Sequence, residues 1–183
     1  MSLTENTPYY IQNVDSDGTP LHRAIRYYKT LAQVGILIKP IEMLTVSKEF
    51  EFGGVEVDPA FVFNFVPIPG ERNTFAIKVQ SRQKFVGMKP IRVGATHSLS
   101  PVLSPYTSLE EVQNSGEYQN YKFLIEKETE GVYAIKWKAG STDVPWNETP
   151  ALGIAIGGLY TVYWRIITNS IDWNVEEIGT TIL

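Results

Sequence analysis

No cysteine occurs in the 183 residues of this chain. Disulfides, zinc–thiolate sites and a cysteine nucleophile are excluded by that alone. Histidine is nearly as scarce. His22 and His97 are the two present; they lie far apart in sequence with no further ligand types clustered beside them, so neither reads as a metal ligand or a triad member. There is no long basic run and the formal net charge is −4, which argues against a phosphate-backbone partner. No stretch approaches the roughly 18 apolar residues that cross a membrane. The N-terminal MSLTENTPYY lacks the basic segment and apolar run of a secretory signal. These absences together predict a cytoplasmic protein with neither nucleic acid nor membrane as partner.

Catalytic motifs are missing too. There is no G-x-S-x-G elbow and no phosphate loop, and GIAIGG is only part of a dinucleotide loop with no helix after it. Glu110-Glu111 and Glu176-Glu177 are neighbours in sequence and read as solvated surface rather than an acid/base pair. The sequon Asn147-Glu148-Thr149 carries no weight without secretion. The chain therefore reads as a non-enzyme with no cofactor and no metal.

The residues that are present suit a globular chain, with 43% hydrophobic residues, 12% of the total aromatic. That is enough apolar material for one domain over residues 1–183 with a sizeable core. It is written as a repeat. YYIQNV from Tyr9, FAIKVQ from Phe75 and YAIKWK from Tyr133 each place an aromatic two residues before an isoleucine. This is the alternation of a strand with one buried face. A second set, FVFNFVP (Phe63, Phe65), YKFLIEK (Tyr121, Phe123) and DWNVEEI (Trp173, Val175), repeats the aromatic-then-apolar spacing. Its first two members run into turn sequences, IPGERN and KETEG. YWRII (163–167) competes with DWNVEEI for the last place, so either Trp164 or Trp173 marks the final closing strand. A third set pairs VGILIKP (34–40) with LGIAIGG (152–158), with HSLSPVL as a degraded middle member.

Opening strand, two middle strands and closing strand, three times over, predict an all-β chain: a β-trefoil of twelve strands in three pseudo-equivalent units with long loops. The units run approximately over 9–66, 75–127 and 133–178. One such unit cannot cover its own apolar face, which is why the repeat makes physical sense. LHRAIRYYKTLAQV has helical spacing at Leu21, Ile25, Tyr28 and Val34, but its β-branched and aromatic residues and Gly35 favour a strand. TSLEEVQNSG reads as a short helical turn with Ser108 and Glu111 as a capping box.

NVDSDGTP (13–20) resembles the start of a calcium-binding loop, with Asn13, Asp15 and Asp17 at alternate positions and then Gly18. The twelfth position is Ala24, which cannot bind a cation, and Pro20 opposes the following helix. The stretch therefore reads as a hairpin turn, with Gly18 free to take a positive φ.

A trefoil without catalytic residues binds through loops held on a rigid barrel. For sugar binding, the nearest approach to the Q-x-W string of trefoil lectins is Gln119-Asn120-Tyr121, and Trp137, Trp146 and Trp164 are candidate stacking platforms. For protein binding, MSLTENTPYYIQNV running straight into the first strand, YAIKWKAGSTD (133–143) with its G-S-T-D string, the size, the acidic balance and the lack of cysteine resemble the fungal trefoil protease inhibitors of the mycocypin group (clitocypins and macrocypins) and the related mycospins. That resemblance implies a fungal inhibitor whose loops after the first and third strands enter a papain-like cleft. Here these are Asp15-Ser16-Asp17-Gly18 and Phe52-Gly53-Gly54-Val55. It also implies a loop after the fifth strand, QSRQKF (80–85), that engages trypsin-like proteases through Arg82; with no Asn in that loop, the asparagine-specific activity of some members is not expected. The expected partner is a papain-like cysteine or trypsin-like serine protease, and the alternative is a carbohydrate-binding trefoil lectin with glycan partners.

Overall fold

The computed structural model describes residues 3, 5, 7–47, 58–93, 96–129, 131–138, 143–145 and 163–168. Eleven strands fill most of them: β1 (Tyr9–Val14), β2 (Pro20–Val34), β3 (Leu37–Ser47), β4 (Phe63–Pro67), β5 (Thr74–Val79), β6 (Lys84–Val93), β7 (Thr96–Leu103), β8 (Phe123–Thr129), β9 (Val132–Lys138), β10 (Asp143–Pro145) and β11 (Tyr163–Thr168). Two short 3-10 turns (Pro59–Phe61 and Tyr118–Tyr121) and one helical turn, α1 (Leu109–Gln113), lie between them.

The strand pairings define the fold. β1 pairs with β4, β4 with β5, β5 with β8, β8 with β9, β9 with β11, and β11 with β1, every pair antiparallel. Six strands thus close into a ring, which removes the exposed edges of an open sheet. They are the opening and closing strands of three successive units, and the hairpins β2–β3 and β6–β7 are the middle strands of the first two. This is the six-stranded barrel and hairpin plan of a β-trefoil.

The repeated aromatics meet inside the ring. Tyr9 stands opposite Phe63, Phe75 opposite Phe123, and Tyr133 opposite Trp164. Two residues further along lie Ile11, Ile77 and Ile135 on the opening strands, and Phe65, Ile125 and Ile166 on the closing strands. All twelve side chains belong to one buried cluster. Tyr9 meets Phe65 edge-on at 5.6 Å between ring centroids, and Phe65 meets Phe75 at 6.3 Å, which joins the first unit to the second. Each large side chain buried this way contributes about 1.5–3 kcal/mol, and all three units contribute to this one core.

Two repeat members differ from their sequence reading. The closing strand of the third unit is β11, with Trp164 fully buried; Trp173 lies outside the described residues. In the second unit Phe123, not Tyr121, is the barrel aromatic. Tyr121 ends a 3-10 turn ahead of β8 and is buried in a separate cluster with Phe85, Val112 and Ile68. Its ring lies so close to Gly87 that a Cβ there would sit 2.6 Å from Tyr121 Cε1.

The segment 20–34 is strand throughout. VGILIKP is not one strand: Val34 ends β2, Leu37 starts β3, and Gly35 turns the chain with φ at 65°. HSLSPVL does lie in β7, and LGIAIGG falls outside the described residues. α1 starts as its sequence predicts, Ser108 Oγ accepting from the Glu111 amide at 3.2 Å. The Glu111 carboxylate reaches back one residue further than in a capping box, accepting from the Thr107 amide and hydroxyl, both at 3.3 Å. The β2–β3 and β6–β7 hairpins also pair with each other, Gln33 opposite Arg92 and Met43 opposite Val102. Between them they enclose a second small core of Ala32, Ile41, Met43, Ile91 and Val102.

Candidate functional site

The loop between β1 and β2 is a turn locked by its own first side chain. Asp15 Oδ1 accepts from the amides of Asp17 and Thr19, each at 2.9 Å. The Gly18 amide donates to the Asp15 carbonyl and the Asp15 amide to the Thr19 carbonyl, both at 3.0 Å. Gly18 takes a φ of 85°, a conformation that costs a residue with a Cβ but not glycine. A Cβ at that position would also press on Val132, 3.2 Å from its Cγ2, so this turn sits against the start of β9. Ser16 and Asp17 are left exposed at its tip. The Asp15 carboxylate is thus committed to the loop's own backbone, and Ala24, at the twelfth position, is fully buried in β2. Among the described residues no group of three or more histidines and carboxylates is placed to hold a metal.

Arg82 lies in the β5–β6 turn, the second unit's equivalent of the β1–β2 loop. The turn is closed by the Gln83 amide donating to the Val79 carbonyl at 2.8 Å, with Gln83 at a φ of 53°. The Arg82 guanidinium folds back onto the β2–β3 hairpin. It pairs with Glu42 Oε1 at 2.5 Å and lies 5.8 Å from the centre of the Tyr27 ring. The Tyr27 hydroxyl donates to the same Glu42 oxygen at 2.7 Å. Burial opposes ionisation of Glu42, but the Tyr27 hydroxyl and the charges of Arg82 and Lys84 outweigh it, and the carboxyl is held below its usual range. Burial and the Glu42 carboxylate push the Tyr27 hydroxyl the other way.

Asp15–Gly18 and Arg82 therefore occupy corresponding loops, β1–β2 and β5–β6, of successive units. Phe52, Gly53, Gly54 and Val55 lie outside the described residues, as do Gly140, Ser141 and Thr142 of the G-S-T-D string. Sequence reasoning did not foresee the partners of Arg82. Glu42 is 40 residues away and becomes a neighbour only when the hairpin folds over.

The residues nearest to a sugar motif are used internally. The Gln119 side-chain amide donates to the Lys138 carbonyl, and the Trp137 indole donates to the Gln119 carbonyl at 3.0 Å. Tyr121 and Trp164 are fully buried. Trp146 lies outside the described residues.

No known protein family matches this chain, and no curated protein does either. Among solved structures it is similar to "BEL beta-trefoil apo crystal form 3", with a TM-score of 0.48 and 15% identity over 91% of this chain and 95% of that one.

Proposed function

We propose that this trefoil is a proteinaceous protease inhibitor that occludes the cleft of a papain-like cysteine protease, with the Asp15–Gly18 loop as one of its insertion elements. The observation that carries the reading is the lock on that loop: four hydrogen bonds of 2.9–3.0 Å converge on Asp15 and hold an exposed tip on the barrel. A loop already held in its bound shape loses little conformational entropy on docking, which is what an occluding inhibitor needs. Glycine at its corner lets the backbone approach a narrow cleft closely. No chemistry is asked of the inhibitor.

A trypsin-like protease is the second target class, through Arg82. Its engagement would exchange the Glu42 carboxylate for one in the enzyme's specificity pocket. A charge pair traded for a charge pair gains less than an unpaired cation would, so this arm is the weaker of the two. The carbohydrate reading draws less support, because Gln119, Tyr121 and Trp164 are all committed within the fold.

Residual papain and trypsin activities, measured with the protein in micromolar excess, test the proposal. Loss of papain activity is the expected result. Full activity of both enzymes would remove the inhibitor reading, and binding on a glycan array would then favour the lectin.

A further inference from the structure

The β2–β3 hairpin ends in an apolar tip that is exposed among the described residues. Ile36 is 94% exposed, Ile38 74%, Leu31 65% and Leu37 62%. The register puts Val34 opposite Leu37, Gln33 opposite Ile38 and Leu31 opposite Pro40. Side chains alternate between faces along a strand, so Leu31 and Ile38 point to one face, Leu37 to the other, and Ile36 caps the end. A flat partner surface covers one face of a hairpin. A tip that is apolar on both faces and at its apex suits a medium that surrounds it.

The charge of the hairpins that carry the tip points the same way. Residues 20–47 and 84–103, which form the two interlocked hairpins, hold seven cations and one anion; the rest of the chain holds nine cations and nineteen anions. A cleft of about 530 Å³ behind the tip is lined by Lys29, Lys39, Lys89 and Arg82, with Glu42 as its carboxylate. Glu42 is taken by Arg82. The side chains of Lys29, Lys39 and Lys89 have no hydrogen bond or ion pair to any other described residue. Arg92 stands beside the tip, opposite Gln33. Among the described residues, the cleft behind the exposed apolar wedge is thus lined by more cations than anions.

We propose that this end of the hairpin docks on an anionic lipid surface, with Ile36, Leu37, Ile38 and Leu31 entering the interface and the lysines behind them meeting lipid phosphates. Among the described residues no helix is long and apolar enough to cross a membrane; a wedge held in the interfacial layer needs neither a span nor a leader. Apolar insertion and attraction of basic residues to anionic lipid are separate contributions that add in one binding event. The surface does not include the Asp15–Gly18 loop, so lipid docking stands or falls independently of papain inhibition, although Arg82 also lines the basic cleft.

Co-sedimentation of the full chain with phosphatidylcholine vesicles, with and without about a third phosphatidylserine, tests the proposal. The expected result is binding to the anionic vesicles, weakened by salt, and none to the neutral ones. Ile36→Asp with Leu37→Asp, and separately Lys39→Gln with Lys89→Gln, should each lower affinity about tenfold. Because the chain has no cysteine, Ile36→Cys carrying a polarity-sensitive dye reports on the tip alone, and its emission should shift to the blue on anionic vesicles. The proposal is overturned by three results: failure to sediment, an unshifted dye on vesicles that do bind, or binding to a soluble sulfated polysaccharide in place of vesicles.

Discussion

Tyr133 stands directly opposite Trp164 across the β9–β11 pairing, as Tyr9 stands opposite Phe63 and Phe75 opposite Phe123. This relationship identifies the last closing strand. It also makes each unit the same device, an opening aromatic and a closing aromatic set opposite each other, with β11 closing the barrel between β9 and β1.

Trp164→Ala should therefore be among the most damaging single substitutions in the protein. A fully buried indole at the barrel seam leaves a cavity worth about 3–5 kcal/mol when truncated. Urea unfolding should show a midpoint lowered accordingly. A loss under about 1 kcal/mol would mean that the ring is not closed at this pair.

Gly87→Ala tests the second cluster. The added methyl meets the ring of Tyr121, which is fully buried. Overpacking of this kind costs about 1–3 kcal/mol. Thermal unfolding should register it as a lowered Tm, and Tyr121→Leu in the same background should restore part of the loss.

Glu71 gives the stability a pH signature. Hydrogen bonding from Lys122, at 2.6 Å, and from Lys138, at 3.2 Å, outweighs partial burial and holds its carboxyl below the usual range. A carboxyl depressed in the folded state stabilises the protein at pH values above its unfolded pKa of about 4.3, and that stabilisation disappears as pH falls through the folded value. Glu71→Gln should cost about 0.5–1 kcal/mol at neutral pH and flatten the decline in stability below about pH 4. Denaturant unfolding at neutral and acidic pH checks both the loss and its sign.

Asp15→Ala and Arg82→Ala separate the two loops proposed to engage proteases. Removing the Asp15 carboxylate deletes two of the bonds that lock the β1–β2 turn, each worth about 1 kcal/mol. Papain inhibition should weaken about tenfold while the circular dichroism spectrum stays unchanged. Arg82→Ala should abolish any trypsin inhibition and leave papain inhibition intact. Unchanged inhibition constants for both variants would show that these loops do not touch the enzymes.

Much of the architecture was legible because barrel strands announce themselves through local alternation. Tyr9/Ile11, Phe75/Ile77 and Tyr133/Ile135 read correctly, since a period of two with one buried face is written in adjacent residues. Tyr121 misled because the same spacing continues through Phe123 into Ile125, and only packing decides which pair faces the barrel. VGILIKP misled because Gly35 serves equally as a strand interruption and as a hairpin turn. The Asp15–Gly18 turn was readable from its glycine. The partners of Arg82 were not, because ion pairs between distant hairpins leave no local trace.

The sequence by itself determined that this chain is built from strands, that its apolar residues recur in three related sets, and that it has no thiol chemistry, since alternation, repetition and absence are properties of neighbouring residues. Only the tertiary structure decided that β11 closes the ring, that Asp15 is turned inward onto its own loop, and that Lys29, Lys39 and Lys89 gather behind an exposed apolar tip. Those facts depend on which distant segments meet, and long-range contact is set by the packing of the whole barrel.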